Sequence, residues 1–189
     1  MPRLILVGFF LFILTQSVLG VTDPRPDVLG VYFDDFGDQT CKDDLLPFVS
    51  FSVWIVYTNP THGMIRGFEA GYYWTGPYVE LGIHWPCGII WIVPPELDNL
   101  SVACTEPFPA TVATPLVRFD YMFMGSGPPD GTFHVEMASG SPIPVINPYI
   151  ILADGNRVEA LQGQVAHITT DCSVASETMG WGTIKSLYR

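Results

Sequence analysis

Five aspartates lie close together near the start of the chain: Asp34, Asp35, Asp38, Asp43 and Asp44. Their carboxylates could supply many of the about six to eight oxygen ligands that Ca²⁺ takes, and backbone carbonyls of a glycine-containing turn could add others. The spacing differs from the D-x-[DN]-x-[DN]-G pattern of an EF-hand loop. This acidic loop is therefore a candidate Ca²⁺ site. The alternative interpretation is that five like charges simply point into water.

Five aromatic residues are concentrated within twenty positions: Tyr72, Trp74, Tyr78, Trp85 and Trp91. Flat rings on an exposed sheet face can stack on flat ligands such as sugar rings. The alternative is core packing, because large apolar side chains mostly fill protein interiors. The five residues are a candidate ligand-binding platform, which requires at least two of the rings to be coplanar and exposed to solvent.

Residue types that serve in catalysis are present, but not in a recognisable arrangement. The histidines lie far apart in the sequence: His62, His84, His134 and His167. His134 and Glu136 share a strand face, as a base and its orienting group would, but no serine stands in a G-x-S-x-G nucleophile elbow. Glycoside hydrolysis needs two carboxylates flanking a cleft, and several pairings are open among Glu69, Glu80, Asp120 and Glu136. We predict a non-catalytic protein and keep a hydrolase as the third hypothesis.

Residues 1–20 carry the features of a secretory signal peptide. Arg3 supplies a positive charge, Leu4 to Leu14 is an unbroken apolar run, and Val18-Leu19-Gly20 roughly fits a signal-peptidase site. The apolar run is shorter than the ~20 residues that a membrane-spanning helix needs. We expect a secreted protein, extracellular, at the cell surface or in the periplasm, without a membrane span once this segment is removed.

The charge balance is strongly acidic, with a net charge of −11. Such a chain is repelled by nucleic-acid phosphates and by anionic lipid, so we do not expect nucleic-acid binding. We predict a protein or glycan partner, and self-assembly through an exposed edge strand is a further option. No cofactor is predicted apart from the Ca²⁺ hypothesis.

The four cysteines of an exported chain are expected to form two disulfides, and the sequence alone allows three pairings. We predict Cys87 with Cys104, which closes a proline-containing loop. The second predicted pair is Cys41 with Cys172, which ties the acidic loop to the end of the domain. None of the spacings is C-x-x-C, so a zinc ribbon has no support.

The elements that must position these residues are short strands. Residues 48–74 are predicted to form a β-hairpin around a turn at 59–63, because the first arm alternates Phe51, Val53, Ile55 and Tyr57. The opposite face of that arm carries Trp54 and Val56, so we expect a central strand that is covered on both sides. Residues 116–123 alternate in the same way, with their inward row at Val117, Phe119, Tyr121 and Phe123.

Turns rich in Gly, Pro and Asp separate about nine or ten such segments, and the Asp154-Gly155-Asn156 turn predicts a further hairpin. The pattern predicts an all-β domain over residues 21–172, a two-layer antiparallel β-sandwich of jelly-roll or immunoglobulin type. Residues 173–189 are predicted to be a linker and a short amphipathic C-terminal helix, with apolar side chains at Trp181, Ile184, Leu187 and Tyr188.

Three short motifs carry a resemblance to a group of exported bacterial proteins that have a signal peptide and a single β-sandwich: Gly30-Val31-Tyr32-Phe33-Asp34 with Cys41 following, Tyr57-Thr58-Asn59-Pro60, and Ile65-Arg66-Gly67-Phe68-Glu69. The order of strands more distantly resembles cohesin-like and carbohydrate-binding-module sandwiches. The resemblance implies a fold and does not by itself imply an activity. The first functional hypothesis is a non-catalytic binding, adhesion or assembly module, and the second is a carbohydrate-binding module that uses the aromatic platform.

Overall fold

The computed structural model describes residues 23–85, 87–92, 99–136 and 147–172, with the backbone alone for 89–92. In these ranges the regular secondary structure is almost entirely β-strand. The strands are β1 (Val28–Tyr32), β2 (Cys41–Lys42), β3 (Ser50–Thr58), β4 (Met64–Thr75), β5 (Tyr78–His84), β6 (Ile89–Ile92), β7 (Leu100–Pro109), β8 (Ala113–Phe123), β9 (Gly131–Glu136), β10 (Tyr149–Leu152), β11 (Arg157–Glu159), β12 (Leu161–Gln162) and β13 (Ala166–Ile168). The predicted leader and C-terminal helix lie outside the described residues.

The strands form two sheets, as predicted for a sandwich. The first sheet has five strands in the order β12-β1-β3-β8-β5. Its pairs are antiparallel except for β1 and β12, which run parallel. The second sheet follows the order β11-β10-β4-β9-β13-β2, with β7 paired to β4 and β6 to β7. The prediction that β3 is a central strand is confirmed.

The predicted hairpin between β3 and β4 is wrong, because the two strands belong to different sheets. β3 pairs with β1 and β8, whereas β4 pairs with β7, β9 and β10. Both strands carry an apolar row, and each row is buried because the two sheets pack face to face. Residues 59–63 therefore cross from one sheet to the other, starting at Asn59 with a φ of 48°.

The core between the sheets is rich in aromatic rings. Phe51 of β3 lies in ring contact with Tyr121 of β8 and Phe133 of β9, at centroid distances of 5.9 and 6.0 Å. The predicted inward row of β8 is buried throughout. Leu116 is buried as well, because the register between β3 and β8 shifts beside it. Aromatic rings from both sheets thus pack against each other, edge-on or stacked, and hold the two layers together.

Both predicted cysteine pairs are confirmed. Cys41 joins Cys172 and Cys87 joins Cys104, each with a Cα–Cα distance of 5.7 Å. The first bridge connects residues 131 positions apart and fixes β2 beside β13. The second fastens residue 87 to β7. No helix in the described part of the chain has the length and apolar character to cross a membrane.

Candidate binding surfaces

Two of the five residues of the predicted aromatic platform, Tyr72 and Tyr78, face the core. Tyr72 and Tyr78 are 1% and 8% exposed, which corrects the prediction that they present a free face. Tyr72 belongs to the inward row of β4 and stacks on Phe119 at 4.3 Å between centroids. Trp74 and Trp85 are half-buried and pack against the core. The side chain of Trp91 lies outside the described residues.

The five aspartates of the acidic loop do not converge on a common point. Asp34 Oδ1 accepts hydrogen bonds from the backbone N–H groups of Phe36 and Asp38, each at 3.0 Å. Asp44 forms an ion pair with Lys42 at 2.7 Å, and Asp43 accepts a bond from the Cys172 N–H at 3.4 Å. Asp35 lies in the same loop. Within the described ranges no group of three or more His, Cys, Asp or Glu side chains is placed to hold a metal ion, so Ca²⁺ binding stays a prediction.

The acidic loop instead covers one half of the outer face of the five-stranded sheet. Its glycine, Gly37, lies over that face: a Cβ there would come within 3.3 Å of Thr58 Cγ2 and 3.7 Å of both Tyr32 and Val56. The side chains of Tyr32, Val56 and Thr58 are completely buried. The N–H of Phe33 bonds to the carbonyl of residue 39 at 2.7 Å and closes the loop. We call the area of Tyr32, Val56 and Thr58 the covered half.

The segment before β1 fastens the edge of the covered half. Asp27 accepts hydrogen bonds from the Tyr57 hydroxyl, from the Thr61 N–H at 2.8 Å and from the Thr61 hydroxyl at 2.6 Å. Asn59 Nδ2 donates to the Asp23 carbonyl at 2.5 Å. Burial by itself raises the pKa of Asp27, but the hydrogen bonds from Thr61 and Tyr57 outweigh burial and hold that pKa below its ordinary value.

The other half of the same face is open to solvent, and we call it the open half. Its side chains come from the outward rows of three adjacent strands: Ser50, Ser52 and Trp54 on β3, Arg118, Asp120 and Met122 on β8, and Val79 and His84 on β5. The β5–β8 register shifts between Glu80 and Gly82, which leaves Leu81 53% exposed in a bulge.

Asp120 organises the open half. Its Oδ1 accepts from the Ser52 hydroxyl at 2.8 Å and lies 3.1 Å from Arg118 Nε. Its Oδ2 accepts one hydrogen bond from His84 Nε2 at 2.7 Å and a second from Arg118 Nη2 at 3.3 Å. The Arg118 guanidinium also sits 5.6 Å from the centre of the Trp54 ring. Burial raises the pKa of Asp120, but the bonds from Ser52 and His84 and the charge of Arg118 hold the pKa below its ordinary value.

The polar groups of the open half are not arranged as a Ser-His-Asp triad. In such a triad the histidine lies between the other two and takes the proton from the serine. Here Asp120 lies in the middle, and Ser52 and His84 each bond to it. The predicted pair of His134 and Glu136 is joined at 3.1 Å, but it lies on β9 in the other sheet. Neither group carries an activated nucleophile.

A shallow depression of about 440 Å³ lies over Asp120. Ser50 and Ser52 border one side, and Leu81 and His84 border the other. The depression exists because Gly82 stands directly opposite Asp120 and has no side chain to fill the space. A Cβ at Gly82 would meet only His84 Nε2, at 3.8 Å.

A second surface, the apolar end, lies where β3, β5 and β8 meet their loops. Its exposed side chains are Leu46, Phe48, Val49, Val79 and Met124. Backbone hydrogen bonds bring these segments together: the Phe48 N–H bonds to the Phe123 carbonyl and the Met124 N–H to the Pro77 carbonyl, both at 2.9 Å. Phe48 is 68% exposed and has a φ of 62°.

Sequence reasoning missed both surfaces for different reasons. The outward row of β8 already showed Arg118 and Asp120 on one face, which is the signal that could have found the open half. Their partners Ser52 and His84 come from strands far away in sequence, so the network itself was not visible. Phe48 looked like the first residue of a strand, because its left-handed backbone conformation has no signature in an aromatic residue.

No family model and no curated protein matches this sequence. Among solved structures, the fold is similar to a type II cohesin domain from the cellulosome of Acetivibrio cellulolyticus, with a TM-score of 0.51 and 11% identity over 76% of this chain and 95% of that one. A cohesin module from a family 33 glycoside hydrolase of Clostridium perfringens ATCC13124 has a TM-score of 0.49 and 9% identity over 76% and 96% of the two chains. The predicted resemblance to a cohesin-like sandwich is confirmed at the level of the fold.

Proposed function

We propose that this protein is an exported, non-catalytic module that binds another protein through the apolar end. The observation that carries the proposal is Phe48, whose ring is held out into solvent by a backbone conformation that a phenylalanine rarely adopts.

The backbone conformation of Phe48 is unfavourable, and burial of its ring within the molecule does not offset this cost. A residue with a Cβ loses about 1–2 kcal/mol in the left-handed region, where glycine or asparagine fits better. The ring is too exposed to recover this cost by burial in the isolated protein. Strained positions of this kind cluster at functional sites. A partner that covers the ring would supply the missing burial.

The neighbours of Phe48 complete a small docking patch. Val49 and Leu46 flank it in the same turn, and Met124 follows the strand end that Phe48 bonds to. An aromatic anchor among aliphatic side chains is the usual centre of a protein interface.

Charge defines the partner more closely. The turn follows directly after Asp43 and Asp44, and the whole chain carries a net charge of −11. A second copy would bring the same negative charge and be repelled. We therefore expect a partner with an apolar centre and lysine or arginine around it, which complements the patch in both respects.

The fold and the cysteines support an assembly role outside the cell. The Acetivibrio domain with the similar fold is described as part of a cellulosome. Two disulfides fit an oxidising compartment, in agreement with the predicted signal peptide. The proposal of a non-catalytic protein rests on the missing relay between Ser52 and His84.

The test is a selection of random peptides displayed on phage against the purified protein, followed by affinity measurements on the recovered peptides. We expect peptides that combine aromatic or aliphatic residues with Lys or Arg. Their affinity for the Phe48→Gly variant should fall about 10-fold or more, because the anchor is removed. In urea denaturation the same variant should keep or gain stability, by up to about 1 kcal/mol, because the strain is relieved.

The matched control is Val112→Ser, which removes another exposed apolar side chain, 71% exposed in the turn between β7 and β8. It should leave peptide binding unchanged. The proposal is overturned if no peptide is enriched, if the recovered peptides bind Phe48→Gly as tightly as the parent protein, or if Val112→Ser weakens them equally.

A further inference from the structure

We propose that the depression over Gly82 in the open half is a binding site for a neutral sugar ring. The site is distinct from the apolar end and does not depend on the protein-binding proposal. It also differs from the aromatic platform predicted from the sequence, since it uses none of those five residues.

The polar side chains of the depression are already fixed before any ligand arrives. Asp120 holds Ser52, His84 and Arg118 at the same time, through the contacts of 2.7 to 3.3 Å described above. The Arg118 guanidinium is fixed from a second side by the Trp54 ring. A ligand that binds there loses little affinity to the ordering of side chains, which is the main advantage of a preorganised site.

The hydrogen-bonding groups left for a ligand are specific. Each oxygen of Asp120 already faces two protein donors, which accounts for its acceptor sites. Asp120 therefore orients the site rather than binding the ligand. Ser50, Ser52, His84 and Arg118 border the depression and are the residues available to a ligand. The Ser52 hydroxyl donates its proton to Asp120, so its oxygen is left as an acceptor, whereas the Ser50 hydroxyl can donate or accept. Together they can both donate and accept, as a set of ligand hydroxyls requires.

Charge favours a neutral ligand. Arg118 and Asp120 compensate each other within the depression. A cation would meet the Arg118 guanidinium, and an anion would approach against the net charge of −11 of the whole chain. Leu81 adds an exposed apolar side chain at the rim, against which the C–H face of a sugar ring can lie. A neutral ring that carries hydroxyls on its edge and C–H groups on its face matches these features.

Gly82 makes the site testable with a single substitution. A Cβ at this position meets only His84 Nε2, at 3.8 Å, so the side chain of Gly82→Val would enter the depression and occupy part of it. Gly127 is a matched control, because a Cβ there would meet nothing within 4 Å and the residue lies in the turn between β8 and β9.

The experiment is an amide NMR titration of the purified protein with glucose, galactose, mannose and N-acetylglucosamine, and separately with glucuronate and with a tetramethylammonium salt. We expect saturable shifts at Gly82, His84 and Asp120 with at least one neutral sugar at concentrations up to about 50 mM. Gly82→Val should weaken this binding about 10-fold or more, whereas Gly127→Val and Phe48→Gly should leave it unchanged. Arg118→Lys should also weaken it, because lysine cannot keep the fork-shaped contact with Asp120.

Three results would overturn the proposal. The first is the absence of saturable shifts at the depression with every neutral sugar. The second is equal binding to Gly82→Val when urea denaturation shows that the variant is folded. The third is tighter binding of glucuronate or tetramethylammonium than of any neutral sugar. Because Phe48→Gly keeps the depression intact, failure here is distinguishable from failure of the protein-binding proposal.

Discussion

Tyr32 and Trp54 lie directly opposite each other on β1 and β3, and both point to the outer face of the five-stranded sheet. Tyr32 is completely buried beneath the acidic loop, whereas Trp54 is only partly buried beside Arg118. The border between the covered half and the open half runs between these two rings. The same sheet, with the same alternation of side chains, is thus closed on one side and accessible on the other.

The outward residues explain this difference. In the covered half they are Tyr32, Val56 and Thr58, which are stabilised when a loop removes them from water. In the open half they include Arg118 and Asp120, whose burial beneath a loop would cost more than their mutual attraction returns. The acidic loop therefore ends where the charged pair begins. Three of its aspartates, Asp38, Asp43 and Asp44, are exposed to water, and its backbone at Gly37 lies over the sheet.

The largest expected effect comes from the two opposed rings. Tyr32→Ala should lower the free energy of unfolding by about 3–5 kcal/mol, because it leaves a cavity beneath the loop. Trp54→Ala should cost about 1–2 kcal/mol, since it removes a partly buried ring and one contact with the Arg118 guanidinium. Urea denaturation of the two variants measures both values. Equal losses would mean that the acidic loop does not act as a cover.

A smaller effect is expected at Asp27, which fastens the edge of the covered half. Asp27 has a φ of 55°, a conformation that asparagine tolerates, so Asp27→Asn removes the charge and keeps the backbone. We expect a loss of about 1 kcal/mol at pH 7, because hydrogen bonds to a charged acceptor are weakened.

The pH dependence of this loss has a definite sign. Since the pKa of Asp27 is lowered in the folded protein, its contribution to stability is present above the ordinary value of 3.8 and is lost as the pH falls through the lower folded value. The difference between parent and Asp27→Asn should therefore shrink as the pH falls below 3.8 and through the lower folded pKa of Asp27. The control is Glu106→Gln on the exposed surface of β7, which should change stability little at either pH. A difference for Asp27→Asn that does not depend on pH would contradict the assigned role.

Local patterns predicted the faces of single strands but not their partners. The alternation in β8 correctly placed Phe119 and Tyr121 in the core, and the Asp154-Gly155-Asn156 turn correctly joined β10 to β11. The proposed β3–β4 hairpin was wrong because a period of two shows only that two faces differ. It does not show which sheet a strand joins. The true partner of β3 on its far side is β8, which begins about 60 residues later, and that pairing depends on packing across the whole domain.

The site was less predictable than the fold for the same reason. A cluster of aromatic residues in sequence indicates a binding platform only if the rings share an outward face, and Tyr72 belongs to the inward row of β4. The acidic loop was recognised as a unit, but its role as a cover required knowledge of Val56 and Thr58 beneath it. Charge density alone suggested a metal site, and Ca²⁺ binding stays a prediction. The contacts show in addition a structural role for the loop backbone.

The last comparison uses one glycine from each half, and the two effects should differ in sign, with the smallest change of all at Gly82. Gly37 has a φ of 76°, and a Cβ there would press on Thr58, so Gly37→Ala should destabilise the protein by about 1–2 kcal/mol. Gly82 lies outside the left-handed region of φ and has free space beside it, so Gly82→Ala should stabilise by up to about 0.5 kcal/mol, because alanine has less freedom to lose on folding. Thermal and urea denaturation of both variants measure the two changes in stability. If Gly82→Ala destabilises as much as Gly37→Ala does, the depression is not the free space that its geometry indicates. The contrast between the covered half and the open half would then fail at the position where the ligand is proposed to bind.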